Sequence, residues 1–236
     1  MINVRMKFIK GQEAKYISHL DLMRTFQRAM RRAKIPMVYS AGFNPHPEMS
    51  FAQALGVGIW SIGEYLDIKI REPIDLNELK KRLNDTLPIG LKVTDVLVLA
   101  DKAKSAMALV THGEYIINIC FDYKELSDIK YIISNFLSQT NIYAMKEQPK
   151  KNFELIKTDI KPMIRDIEVL KQEKPGELDL KCVLACGSKA NVKPELLIQS
   201  LEEYLGLNIL SKNIKRVELY MEVNKKLIPM LDIDNN

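Results

Sequence analysis

Residues 2–10, INVRMKFIK, and residues 18–34, SHLDLMRTFQRAMRRAK, decide how this chain begins to fold. In the first stretch Ile2, Val4, Met6 and Phe8 share one face, and Asn3, Arg5, Lys7 and Ile9 share the other. That period of two predicts a half-buried strand with a basic outer face. In the second stretch Leu22, Phe26, Ala29, Met30 and Ala33 follow the 3.6-residue period of a helix, and Ser18 is placed to cap it. At 100° per residue, Arg24, Arg28 and Arg31 fall opposite that apolar stripe, with Arg32 at its edge. Pro36 stops the helix.

Outward from there, Met37-Val38-Tyr39 reads as a short strand. Ser40 to Gly58 shows no period and contains Gly42, Pro45, Pro47, Gly56 and Gly58. Structureless segments of that length in compact domains are usually functional or disordered. Phe43, His46, Met49 and Phe51 make this one too apolar for disorder. Glu64 to Ile70 reads as a strand. Asp75 caps a helix carrying Leu76, Leu79 and Leu83, with Glu78 completing a capping box. Leu91 to Leu99 is the next strand. The order β-α-β-β-α-β is that of the split βαβ motif. Ala100 to Ala106 reads as a linker, after which the pattern recurs. Glu114 to Phe121 alternates, and Leu126, Ile129, Ile133, Phe136 and Leu137 mark a helix. Ile142 to Lys146, Ile164 to Leu170 and Leu178 to Ala185 are strands. A helix from Pro194 ends at Gly206, and Ile214 to Glu222 is the last strand. The expected architecture is α+β: two tandem ferredoxin-like (βαββαβ) halves with antiparallel sheets, residues 1–100 and 101–236. The second fits less cleanly, because its middle contains an extra extended segment, and the stretch around Phe153 to Pro162 gives no clear pattern.

The chain has 236 residues, 47% hydrophobic and 28% charged. It is too apolar for a disordered tail and too charged for a membrane bundle. No apolar run reaches the ~18–20 residues of a membrane span. The opening Met1-Ile2-Asn3-Val4-Arg5 lacks a leader's charged-then-apolar pattern. Cys120, Cys182 and Cys186 are too few for a disulfide framework. The expected location is cytoplasmic. No phosphate-cradling glycine motif, nucleophile elbow, zinc pair or cluster-binding cysteine run is present. No cofactor is expected in this chain. Cys182 and Cys186 share one face of a strand and read as core thiols. His19, Asp21, His46 and Glu48 are the candidate mixed metal set, but their spacing matches no metal signature.

The charge is unevenly placed. Net charge is +5, yet residues 1–34 hold nine Lys and Arg against Glu13 and Asp21, or +7, so the other 202 residues sum to −2. Such asymmetry points to an anionic partner. Arginine favours phosphate, because its planar fork binds bidentately and stacks on bases. Phe43, Phe51 and Trp60 are candidate stacking faces, although Phe51 and Trp60 read better as core plugs. If the long loop folds over the helix, His19 and His46 flank the arginine stripe. There an imidazole can serve as acid or base, or can bind phosphate. The nucleic-acid-binding candidates are Arg24, Arg28, Arg31, Arg32, Ser40, Phe43, Asn44 and His46. The catalytic candidates are His19 and His46.

Ile17-Ser18-His19-Leu20-Asp21-Leu22-Met23-Arg24, Arg28-Ala29-Met30-Arg31-Arg32-Ala33, Tyr39-Ser40-Ala41-Gly42-Phe43-Asn44-Pro45-His46-Pro47 and Gly63-Glu64-Tyr65-Leu66-Asp67 together resemble the bacterial radical SAM-linked protein family. That family is a domain of unknown function, encoded alone or fused behind a radical SAM, cobalamin-type domain. Thr158-Asp159-Ile160-Lys161-Pro162-Met163-Ile164 is similar to the family's D-I-R-P segment, with Lys161 where the family carries arginine. A more distant likeness is to CRISPR RNA-processing endoribonucleases and their RAMP relatives, which also join two ferredoxin-like halves. The resemblance implies a radical SAM protein as partner. Joined to the basic helix, it gives the expected function: an RNA-binding accessory module that presents tRNA or rRNA to that partner and is not catalytic on its own. The alternatives are a metal-independent RAMP-like endoribonuclease using His19 or His46, and a protein-binding scaffold with no nucleic-acid role.

Overall fold

The computed structural model describes residues 1–122, 128–148, 154–171 and 176–232. Leu126, Phe153 and the tail from residue 233 lie outside them. The architecture is mixed α+β. Two compact units divide the chain: Met1–His112 with Arg216–Asn236, and Gly113–Lys215. The sequence reading divided it once, at residue 100; the structure returns the C-terminal stretch to the first unit.

In the first unit, β1 (Ile2–Lys10), α1 (His19–Arg32), β2 (Met49–Phe51), β3 (Trp60–Ile70), α2 (Leu76–Asn84) and β4 (Leu91–Val98) follow one another, and a one-turn α3 (Ala106–Leu109) comes after them. β1 lies between β3 and β4, and β2 pairs with β3, all antiparallel. The apolar stripe of α1 closes on this sheet. Leu22, Phe26, Ala29 and Met30 are buried, as are Val4, Met6 and Phe8 of β1. Phe8, Phe26 and Phe51 meet edge to face, with centroids 4.9 to 5.8 Å apart. Each such side chain contributes roughly 1.5–3 kcal/mol on burial. Together they fix the rotation of α1 about its axis, and the opposite row faces out.

Both ends of α1 are closed. Ser18 Oγ accepts from Asp21 N at 3.2 Å. At the other end Ile35 N donates to Met30 O and Lys34 N to Arg31 O, while Lys34 takes φ 53°. That is a Schellman closure with lysine where glycine usually stands.

Four expectations need correction. The outer face of β1 is not solvent-facing. Arg5 is fully buried and Lys7 half-buried, because Lys104 and Met230 offer their carbonyls to the Arg5 guanidinium at 3.1 and 3.0 Å. Residues 100–105 are mostly exposed, but the segment is anchored through Lys104 O and Ala106 N and is not a free linker. Ala106 is buried and donates its N–H to Asp67 Oδ2 at 2.7 Å. Met37-Val38-Tyr39 forms only isolated bridges, Met37 to Ile70 and Tyr39 to Pro47. The strand in this region is β2, inside the stretch read as aperiodic.

In the second unit, β5 (His112–Phe121), α4 (Ile129–Ser138), β6 (Tyr143–Gln148), β7 (Glu154–Asp159), β8 (Ile164–Lys171), β9 (Glu177–Ala185), α5 (Pro194–Leu205) and the start of β10 (Ile209–Val223) follow. Strand order is β10-β5-β9-β8, and β6 pairs with β7 as a separate antiparallel ribbon. β7 falls in the stretch around Phe153 to Pro162, where the sequence shows no clear pattern. Pro194 opens α5, and Gly206 closes it at φ 60°. Cys182 and Cys186 are buried free thiols, and burial pushes the Cys182 thiol up.

β10 begins five residues before its expected start. From Arg216 onward it belongs to the first unit, beside β3, where β11 (Lys226–Pro229) pairs with it. The connecting residues Asn224 and Lys225 both have positive φ, 50° and 66°, the geometry of a type I′ hairpin. Without the usual glycine, the sequence carried no clear signal for β11. Gly63 sets the spacing of β3 and β10, since a Cβ there would stand 2.2 Å from Val217 O.

Candidate functional site

The nine cations of residues 1–34 separate by destination. Arg5 forms a bidentate pair with Asp67, at 2.7 and 2.9 Å. Lys7 pairs with Glu218. Lys10 is buried and donates to the carbonyls of Lys15 and Ile17. Burial lowers the Lys10 pKa, with Glu64 pulling the other way. Arg32 donates to Thr86 O at 2.6 Å. These four serve the fold. Counting them as surface charge overstates the basic face.

Of the other five, Lys15 lies over the Tyr16 ring and Lys34 closes the end of α1, while Arg24, Arg28 and Arg31 stand at spacings of four and three on one row of α1. Arg24 is 3.4 Å from Asp21, a solvent-exposed pair with side chains 62% and 61% exposed, and such pairs are weak. Arg28 and Arg31 have no ion-pair or hydrogen-bond partner among the described residues. The three line a cleft of about 360 Å³, together with Gln27, Tyr39, Pro45, His46 and Pro47.

The far wall of the cleft is the Pro/Gly loop, and its neck is tied. Ser40 N donates to His46 O at 2.9 Å, and His46 N donates to Ser40 Oγ at 3.0 Å. Below that latch, Glu48 N donates to Val38 O, and Val38 N donates to Lys69 O. The loop therefore stands as an extension of β3 and leans on α1. Its tip, residues 41–45, is exposed. Gly42 has φ 122°, a conformation side-chain-bearing residues rarely adopt. Phe43 beside it is fully exposed, at 112% relative accessibility.

The expected site residues sort accordingly. Arg24, Arg28, Arg31 and His46 line one cleft. Phe43 and Asn44 are not among the lining residues and stand on the exposed tip, two residues or fewer before Pro45. Ser40 is the latch of the loop. Arg32 points elsewhere, held by Thr86, because its position on the helix edge faces the end of α2. His19 does not line the cleft. Its ring packs edge-on against Phe51 at 5.3 Å, as part of the aromatic cluster. Phe51 is in the core. His19, Asp21, His46 and Glu48 do not gather: among the described residues no three His, Cys, Asp or Glu come together as a metal-holding group. Glu48 pairs with Lys69 at 2.9 Å.

Three contributors escaped the sequence reading. Gln27 lies 40° beyond Arg31 on the helical wheel, one turn from both Arg24 and Arg31, and a wider stripe takes it in. Tyr39 was read as strand, yet its ring forms part of the cleft. The Arg71 guanidinium lies 6.0 Å from that ring. Arg71 comes from the end of β3, so only the fold brings it close.

A family model matches residues 3–194. The chain belongs to the family described as "Uncharacterized protein conserved in bacteria (DUF2344)". Curated protein sequences give no match. Among solved structures, this DUF2344 chain is similar to one in the crystal structure of a Cbf5-Nop10-Gar1 complex, with 9% identity and a TM-score of 0.47 over 90% of its length. It is also similar to one in the archaeal box H/ACA sRNP Nop10-Cbf5 complex, with 9% identity and a TM-score of 0.44 over 89%. The chain spans about half of those chains, 48% and 46%. At this level of likeness they carry no functional inference. No helix among the described residues is long and apolar enough to cross a membrane.

Proposed function

We propose that this chain is an RNA-binding accessory module that holds tRNA or rRNA by its phosphates and presents it to a radical SAM modification partner. One observation carries the RNA reading. Arg24, Arg28 and Arg31 line a single cleft, and two of them form no ion pair among the described residues. Unpaired guanidiniums side by side repel one another, and a phosphate relieves that repulsion with bidentate bonds. The radical SAM partner rests on the resemblance of residues 17–67, and the cytoplasmic setting rests on the free thiols. Two ferredoxin-like halves are supported by strand order. β4-β1-β3 with β2 on β3 and β10-β5-β9-β8 follow the same sequence of connections, with β6 and β7 inserted in the second.

The test is binding of labelled tRNA and rRNA fragments at low ionic strength. Wild type binds, and the double reversal Arg28→Glu, Arg31→Glu does not. Binding that survives the reversal, or is absent from wild type, overturns the proposal. His46 in the cleft wall favours a second reading, a metal-independent endoribonuclease. Labelled RNA left intact after prolonged incubation with wild type removes it.

A further inference from the structure

We propose that the cleft receives an unpaired stretch of RNA, with a phosphate among Arg24, Arg28 and Arg31 and an unstacked base on the ring of Phe43. This rests on the RNA reading above and narrows its substrate to loops, bulges or ends.

The tip of the loop is built to hold an aromatic ring away from the protein. The Ser40–His46 latch and the Tyr39–Pro47 bridge close the neck. Pro45 and Pro47 stiffen one arm. Gly42 adopts φ 122° although nothing lies within 4 Å of where its Cβ would be. Glycine is therefore needed there for backbone direction and not for space. That direction leaves Phe43 with its whole ring in water. Phe26 and Phe51 are buried in the same unit, so the core already has its aromatic residues and Phe43 is not among them.

Position links the ring to the cleft. Phe43 is two residues from Pro45, which lines the cleft, so their Cα atoms are within about 7 Å. The lining residues offer three guanidiniums, a carboxamide, a phenol and an imidazole in about 360 Å³, at the lower end of the range for small-ligand sites. That room suits one nucleotide. In an A-form duplex the base faces are stacked and hidden, and the deep groove is too narrow for side chains to read. A ring standing free beside a phosphate site finds a partner only where a base is already unstacked.

The experiment uses the full chain and a short mixed-sequence RNA carrying 2-aminopurine, either single-stranded or annealed to its complement. Wild type binds the single strand more tightly and quenches its fluorescence. Phe43→Ala loses roughly 5- to 150-fold in affinity for the single strand, the equivalent of one base–aromatic stack, and loses the quenching. Its affinity for the duplex is unchanged, and Phe43→Tyr restores both signals. Because Phe43 touches no core, Phe43→Ala folds as wild type does. Equal affinity of Phe43→Ala and wild type for the single strand overturns the inference. So does equal wild-type affinity for the two RNA forms, or a Phe43→Ala defect confined to an apolar protein partner. If Arg28→Ala weakens RNA binding while Phe43→Ala does not, the phosphate reading stands and this inference falls. If neither weakens it, both fall.

Discussion

Arg31 and Arg32 are neighbours in sequence, and replacing each by alanine separates the cleft from the rest of the basic helix. Their Cα atoms lie 100° apart around α1. Arg31 lines the cleft, while Arg32 donates to Thr86 O. With Arg24, Arg28 and Arg31 each neutralising one phosphate, affinity falls with salt at a slope of about −2 to −2.7 on log–log axes, given ~0.7–0.9 per contact. Arg31→Ala brings that slope to about −1.4 to −1.8. Arg32→Ala leaves the slope unchanged and instead lowers stability by about 1 kcal/mol, the worth of its hydrogen bond. The assay is fluorescence polarisation with labelled tRNA across a salt series, paired with urea unfolding of both variants. Summed charge alone treats the two variants alike. A slope flattened equally by both, or flattened by Arg32→Ala only, refutes the reasoning that geometry and not net charge makes the site.

Asp67→Ala leaves the buried Arg5 guanidinium without its bidentate partner and costs about 3–5 kcal/mol, read as a fall in the urea midpoint with RNA affinity per folded molecule retained. Lys34→Gly relieves a left-handed lysine and raises stability by about 1 kcal/mol in the same measurement. The Tyr65 phenol is pushed up first by burial, then by the Glu218 carboxylate it donates to at 2.6 Å. Above pH ~10 the unfolded tyrosine ionises while the folded one keeps its proton, so stability present below that pH is lost as pH rises, by up to about 1.4 kcal/mol per pH unit. Urea midpoints across that range fall less steeply for Tyr65→Phe than for wild type.

β1, α1, the apolar face of each, and the row of Arg24, Arg28 and Arg31 are legible in the sequence. All of these follow from local periodicity, which a strand or helix expresses wherever it is placed. The Pro/Gly punctuation of residues 40–47 likewise marked the loop, since proline and glycine act on their own backbone. Which cations are free depends on contacts between distant segments. Arg5, Lys7 and Arg32 look like Arg28 in sequence, yet each meets a partner 54 or more residues away. The same holds for His19 and His46, one packed on Phe51 and one placed in the cleft. β11 escaped because its hairpin turn, Asn224-Lys225, carries no glycine; β2 and the anchoring of residues 100–106 escaped for a related reason. Their conformations are held by pairing with distant backbone, or by a distant carboxylate, and not by any propensity of their own.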